Sequence, residues 1–304
     1  MSAEDKLIVT AGSAIYGPYL LGLLGSLNLN WPLHPPVLVY DLGLNEETLA
    51  LLRENQISVK TIEPFCDHWR KHFAWKIWCL NDAPATNILW MDAGLVVLKP
   101  LEEVFHAINR LEYFIVPNYQ LLDLEASERA CEGCGVPIDF RIGKLSIAAN
   151  FLGMRKTGKM REILSEALEV SLTEKHIAAT KATHRHDQAI LSLLLYKHFG
   201  QLIFGDGLIY SEWRSPCHTN GQKVWLHRRG LLSEDIAHFA AHIQKKGKPY
   251  MPDDPNASKR RKRIPSLARK IYKNLRRNYF FPLSHTSRAT DRSSADSVYD
   301  GIRD

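Results

Sequence analysis

The chain has 304 residues, of which 45% are hydrophobic and 24% charged, and its formal net charge is +6. This composition is typical of a globular protein that buries a substantial core in one large domain or two small ones. Five scattered cysteines argue against a disulfide framework, and the richest apolar stretch, residues 19–33, is too interrupted by Gly and Asn to span a bilayer. The first five residues show no secretory signal, so the sequence predicts a cytoplasmic protein.

Short apolar runs alternate with helical patterns along the first hundred residues. We predict strands at 7–10, 37–40, 57–62 and 88–91. Helices are predicted after the first strand as far as residue 27, at 46–54 with Asn45 as the N-cap, and at 69–80. Alternation at this spacing indicates βαβ units and a mainly parallel sheet.

The pattern is looser after residue 98. Further helices are predicted at 101–108, 159–172 and 187–199, and strands at 113–117, 146–154, 201–204 and 224–227, whereas residues 118–143 are irregular. We therefore expect a single α/β domain over residues 5–245, with a mainly parallel central sheet flanked by helices. A linker (246–258), a basic amphipathic segment (259–282) and a disordered tail (283–304) are expected to follow it.

The basic segment carries most of the positive charge. Residues 259–277 hold ten Lys or Arg and no Asp or Glu, so the remainder of the chain has a net charge of −4. Four apolar residues recur there at spacings of three and four: Ile264, Leu267, Ile271 and Leu275. The pattern predicts an interfacial helix on an anionic membrane, at the inner face of the plasma membrane, and a solvated basic tail is the alternative. Nucleic acid is not an expected partner, because interleaved aromatic residues are lacking and the acidic body would repel phosphate.

The strand predicted at 88–91 ends abruptly on a carboxylate. Asp92 follows four apolar residues, Ala93 and Gly94 come next, and a second apolar run begins at Leu95. Ligands of open α/β sheets bind at the carboxyl ends of the strands, and small residues allow a bulky anion to approach the backbone. We therefore predict that Asp92 faces a ligand. The alternative is an Asp that caps its own turn.

Two other features belong to the same half of the chain. The loop from Thr10 to Tyr16 follows the first strand, a usual place for nucleotide contacts, and the Tyr16 ring either stacks on a base or packs in the core. Lys76 lies among aromatic residues on a predicted helix. Its ammonium either extends to solvent or reaches a phosphate, and the residues alone favour solvent.

Asp187 and Gln188 open the apolar helix predicted at 187–199. A carboxylate and a carboxamide held side by side at a helix start make good polar contacts for a sugar. Asp187 acting only as a helix N-cap is the alternative.

Candidate metal ligands are few. His227 ends a predicted strand beside Arg228 and Arg229, which suits a metal or phosphate contact as well as an ordinary surface position. Cys131 and Cys134 form a single CxxC, which without a second pair is a weak signal for zinc.

Together these segments resemble the GT-A glycosyltransferases, most closely the group that includes glycogenin and the bacterial lipopolysaccharide galactosyl- and glucosyltransferases. The resemblance covers roughly residues 6–230. It is carried by seven segments in the family's order: LIVTAGSAIYGPYLLGLLGSL, VLVYDLGL, FAWKIWCLNDAP, ILWMDAGLVVLKPLEEVF, NFLGMRK, HDQAILSLLLY and VWLH.

The resemblance implies a role for each candidate residue. Thr10, Ala11 and Tyr16 resemble the uridine-binding loop, and Lys76 a basic residue that contacts the donor phosphate or sugar. Asp92, with Ala93 and Gly94, matches the Asp-x-Asp segment, and Asn150 an asparagine near the donor sugar. Asp187 and Gln188 resemble the pair beside the reacting carbon, and His227 the late metal-binding histidine.

The implied activity is transfer of a hexose from a UDP-sugar to a saccharide or lipid-linked acceptor in cell-surface polysaccharide synthesis, with retained configuration. Inversion, with Asp187 as general base, is the alternative. The implied cofactor is Mn²⁺ or Mg²⁺, but the family's second metal carboxylate falls at Gly94, so Asp92 and His227 would be the only protein ligands, with diphosphate oxygens and water completing the shell. Metal binding should then be weak, or replaced by the fixed positive charge of Lys76, Arg228 and Arg229. Gly94 also supports the rival hypothesis of an inactive GT-A-like protein that only binds a ligand or a partner.

Overall fold

The main sheet of the computed structural model has six strands in the order β3-β2-β1-β4-β7-β6. The strands are β1 (Lys6–Gly12), β2 (Val37–Asp41), β3 (Ser58–Thr61), β4 (Asn87–Met91), β6 (Tyr113–Leu121) and β7 (Leu145–Arg155). β1 pairs in parallel with β2 and β4, and β2 with β3. β7 is antiparallel to both β4 and β6, so it alone runs against the other five. The mainly parallel sheet predicted from the sequence is confirmed.

The structure describes residues 5–178, 186–205, 210–211, 222–226 and 233–243. His227 lies outside these residues, as do the linker, the basic segment and the tail predicted at 246–304. No described helix combines the length and the apolar character needed to cross a membrane.

A small second sheet lies beyond the Asp92 turn, in the order β5-β9-β8. Its strands are β5 (Leu95–Val97), β8 (Tyr210–Ser211) and β9 (Val224–Leu226). The helices are α1 (Gly17–Asn30), α2 (Glu46–Glu54), α3 (Ala74–Asp82), α4 (Glu102–Leu111), α5 (Leu122–Glu125), α6 (Glu128–Gly133), α7 (Gly158–Ser171), α8 (Glu174–Ile177), α9 (His186–Phe199) and α10 (Ser233–Ala240). Short 3₁₀ turns at Ala14–Tyr16 and Ile138–Arg141 complete the described elements.

Both faces of the main sheet are covered. Successive strand residues point to opposite faces, so Ile8 and Leu89 pack with α1 and α4, whereas Val9 and Trp90 pack with α3, α7 and α9. Strands buried on both faces are rich in apolar residues throughout, which is why they are recognisable as continuous apolar runs. The layers leave the carboxyl ends of the parallel strands as the edge at which a ligand site can form.

Most predicted elements are present, with three differences. The helix expected at 69–80 begins only at Ala74, because Phe73 has φ 58° and cannot continue a right-handed helix. The strand expected at 201–204 is wrong: Ile203 N donates to the Tyr113 hydroxyl at 3.1 Å instead of entering a ladder. The irregular segment at 118–143 contains the short helices α5 and α6.

The CxxC pair lies in the core. Cys131 and Cys134 are both buried, and burial raises the pKa of each thiol because the thiolate is poorly solvated there. Among the described residues no group of three His, Cys, Asp or Glu side chains is arranged to hold a metal ion. Both cysteines pack within the hydrophobic core on the side of the sheet that carries α3, α7 and α9.

Candidate active site

Asp92 lies directly after β4, at the carboxyl edge of the parallel strands. Its backbone N donates to Asn150 O on β7 at 2.9 Å, and its carbonyl accepts from Leu95 N at 3.0 Å, which closes the turn into β5. The Trp90 indole Nε1 donates to Asp92 Oδ1 at 2.7 Å. The Asp92 side chain is 33% exposed, so its carboxylate is held by the protein and still open to a ligand.

Lys76 brings the ammonium of α3 to this carboxylate. The residue is only 5% exposed, so its side chain does not extend to solvent. Its Nζ lies 3.0 Å from Asp92 Oδ1 and 3.5 Å from Asp187 Oδ2, and it donates to Ala149 O at 3.3 Å. One buried positive charge therefore joins two carboxylates from separate parts of the chain.

Asp187 enters the site from the first turn of α9. It is buried, and burial raises the pKa of its carboxyl group, with the nearby Asp92 charge acting in the same direction and the Lys76 ammonium opposing it. The residue before it, His186, has φ 45°. The His186 ring lies 5.5 Å from the ring of Phe73, the left-handed residue that precedes α3. The two helix starts that carry Lys76 and Asp187 therefore touch each other.

Gln188 follows Asp187 and is half-buried. Its Oε1 faces Ala149 N at 3.5 Å, and its Nε2 donates to Glu125 Oε2 at 2.8 Å and to Ser146 Oγ at 3.0 Å. Glu125 and Ser146 are absent from the residues predicted for the site. Both are buried polar residues, and neither has a sequence pattern that sets it apart.

The other predicted donor residues surround this group. Asn150 is buried on β7 and accepts the Asp92 backbone hydrogen bond. Thr10 and Ala11 are buried near the end of β1, the strand beside β4, and Ala93 is buried in the Asp92 turn.

Tyr16, in the 3₁₀ turn after β1, is 38% exposed, and its ring lies 6.3 Å from that of Tyr19. These residues occupy the same edge of the sheet as Asp92, whereas His227 lies outside the described residues.

The described donor set does not fit a divalent cation. Gly94 offers no side-chain ligand, and a Cβ placed on it would have no atom within 4 Å. Asp92 and Asp187 already contact the Lys76 ammonium. Calcium and magnesium need several oxygen ligands, and the two carboxylates of the described site both face the Lys76 ammonium.

No family model matches the chain, and no curated protein sequence matches it either. Solved structures do. The galactosyltransferase LgtC, in complex with donor and acceptor sugar analogs, is 15% identical over 78% of this chain and 95% of its own, with a TM-score of 0.49.

Two further solved structures superpose on this chain with TM-scores above 0.5. The bifunctional glycosyltransferase WbbM is 12% identical over 81% of this chain, with a TM-score of 0.54, and this chain spans 52% of it. The apo form of GlyE from Streptococcus pneumoniae TIGR4 is 13% identical over 84% of this chain and 64% of its own, with a TM-score of 0.51. With the strand order and the carboxylate that ends β4, these likenesses show that the chain has the GT-A-like fold of glycosyltransferases.

Proposed function

We propose that the chain is a glycosyltransferase that moves a hexose from a nucleotide-sugar, a UDP-sugar by resemblance, to a hydroxyl of a saccharide or lipid-linked acceptor. The proposal includes a role in cell-surface polysaccharide synthesis. The observation that carries it is the joining of Asp92, Lys76, Asp187 and Gln188 at the carboxyl edge of a GT-A-like sheet. Charged groups gathered from β4, α3 and α9 serve no packing purpose there, because burying them costs free energy.

The nucleotide is proposed to lie over Thr10, Ala11 and Tyr16, with its sugar toward Asn150 and Gln188. The departing UDP develops negative charge, and fixed positive charge is the main way for a protein to stabilise it. Lys76 is the described cation at this point, with Arg228 and Arg229 as further candidates outside the described residues. We therefore propose that turnover depends little on Mn²⁺ or Mg²⁺, contrary to what the resemblance alone implies.

Retention of configuration is the proposed outcome. Inversion needs a general base that reaches the acceptor hydroxyl, and Asp187 is the alternative candidate for that base. Its carboxylate is buried and lies 3.5 Å from the Lys76 ammonium, an arrangement that suits a fixed charge better than a base open to substrate. The anomeric configuration of the product, read by NMR, decides between the two outcomes.

The direct test is UDP release from UDP-glucose and UDP-galactose, with and without Mn²⁺ and with acceptor saccharides present. Asp92→Ala should abolish turnover and leave the fold intact, with a lower melting temperature because Trp90 Nε1 and the Lys76 ammonium lose an acceptor. Asp139→Ala, at an exposed carboxylate in a 3₁₀ turn, is the matched control and should behave as wild type. Nucleotide binding without turnover would instead support the inactive binding protein, and wild-type turnover by Asp92→Ala would refute the site.

A further inference from the structure

Glu125 is a buried carboxylate beside the candidate site that the proposed mechanism does not use. It ends the short helix α5 and is 4% exposed. Its Oε2 accepts from Gln188 Nε2 at 2.8 Å, and both of its oxygens accept from Asn118 Nδ2 at 3.2 Å. A buried carboxylate is costly to desolvate, so its place among amide donors requires an explanation.

The chemistry of the two groups fixes how the Gln188 amide is turned. A carboxylate only accepts hydrogen bonds, whereas an amide has a donating end and an accepting end. Glu125 therefore requires the NH₂ end of Gln188, and Ser146 Oγ takes the second proton of that end at 3.0 Å. The carbonyl end, Oε1, must then lie on the opposite side.

That opposite side is the candidate active site. Gln188 Oε1 faces Ala149 N at 3.5 Å, a long contact that leaves the oxygen able to accept elsewhere. The carbonyl of the same Ala149 accepts from the Lys76 ammonium. The oxygen end of Gln188 thus lies on the strand segment that also supports the cation.

We infer that Glu125 is a positioning residue, which holds the Gln188 amide with its oxygen toward the donor sugar. This inference rests on the proposed function. The anomeric carbon becomes electron-poor as UDP departs, so an amide oxygen beside it stabilises the charge and an NH₂ group would oppose it. In Glu125→Gln the new side chain would present either end of its own amide and would no longer select the orientation of Gln188.

The test is a double-mutant cycle of Glu125→Gln and Gln188→Ala, measured as kcat for sugar transfer and Kd for UDP. Glu125→Gln should lower kcat about 10- to 100-fold, the scale of a misoriented catalytic group. The Kd for UDP should change less than about twofold, since neither residue is placed at the nucleotide. If Glu125 acts only through Gln188, the double variant should be no slower than Gln188→Ala alone.

Glu128→Gln, at an exposed carboxylate on the neighbouring α6, is the control and should retain wild-type kcat. If Glu125→Gln does not fold, Glu125→Asp, which keeps the charge and withdraws the oxygens, takes its place in the same cycle. Additive losses in the double variant, or an unchanged kcat in the single one, would overturn the inference while the wild-type activity stands. A wild-type protein with no transfer activity would instead overturn the proposed function on which the inference rests.

Discussion

Replacing Lys76 by Met removes the charge that joins two carboxylates while keeping most of the side-chain volume. The ammonium lies within 3.5 Å of Asp92 and Asp187, so its loss leaves two negative groups close together. Two unit charges about 6 Å apart repel by roughly 3 kcal/mol at an effective dielectric constant of about 20. This repulsion is an upper limit, because partial exposure of Asp92 screens it and Asp187, whose pKa burial already raises, relieves it by taking up a proton. We therefore expect a loss of up to about 3 kcal/mol, a fall in melting temperature of up to roughly 12 °C.

Lys76→Met should also lower kcat for sugar transfer, and by a large factor. Removal of one preorganised electrostatic group costs about 10²- to 10³-fold in kcat, and Lys76→Met should fall in that range. Gly94→Asp adds a carboxylate where a Cβ has no atom within 4 Å, so it should fold normally. In the double variant Lys76→Met/Gly94→Asp, the carboxylates at positions 92 and 94 can bind a cation together. Mn²⁺ should therefore raise the rate of this variant at least tenfold.

The assay is UDP release with EDTA and with Mn²⁺, accompanied by calorimetric titration of Mn²⁺. Wild type should keep its rate within about twofold in EDTA, and the double variant should bind Mn²⁺ more tightly than either parent. Lys60→Met is the matched control, since Lys60 forms an ion pair with Asp82 away from the site. A wild-type enzyme that EDTA inactivates and Mn²⁺ restores would refute the idea that Lys76 supplies the cation.

Three further predictions concern Asp187, Gln188 and the basic segment. Burial raises the pKa of Asp187, so its contribution to stability is present below the ordinary Asp pKa of about 4 and is lost as the pH rises through the raised value. Asp187→Asn should therefore raise the melting temperature at pH 7, and melts between pH 4 and 8 should show this gain shrink toward acid; a gain that grows instead would contradict it. Gln188→Ala should lower kcat by a larger factor than it lowers the affinity for UDP measured by calorimetry. Equal factors for kcat and for UDP affinity would indicate that Gln188 contacts the nucleotide and not the sugar. The full chain should co-sediment with anionic vesicles at low salt and a chain ending at Asn256 should not, whereas equal behaviour of the two would remove the membrane role proposed for residues 259–282.

Local signals explain what the sequence predicts well. An N-cap works through one side chain and a backbone N–H three residues on, and Asn45 accepts from Thr48 N at 2.9 Å as expected. The strand that ends at Asp92 is equally local, because a buried apolar run followed by two small residues specifies both the strand and its turn. The parallel order follows from alternating elements, and it too needs no long-range information.

Contacts between distant segments explain what the sequence does not predict. A lysine among aromatic residues is compatible with solvent or core, and Lys76 turns inward because Asp92 and Asp187 arrive from β4 and α9. Glu125 lies in a segment without periodic apolar residues, and its burial depends on packing of α5 against β7 and α9. The late start of α3 likewise depends on the left-handed backbone of Phe73, for which a Phe side chain gives no warning.

The contact between Phe73 and His186 has a consequence for how the charged group keeps its shape. Each residue holds a left-handed backbone that costs about 1–3 kcal/mol, and such conformations persist only where the surroundings impose them. Since the two rings touch at the starts of α3 and α9, a shift of one helix displaces the other. The distance between the Lys76 ammonium and the Asp187 carboxylate therefore depends on this aromatic contact. Substitutions at either ring would change that distance, and with it the electrostatics of the proposed transfer, while Lys76, Asp92 and Asp187 remain in place.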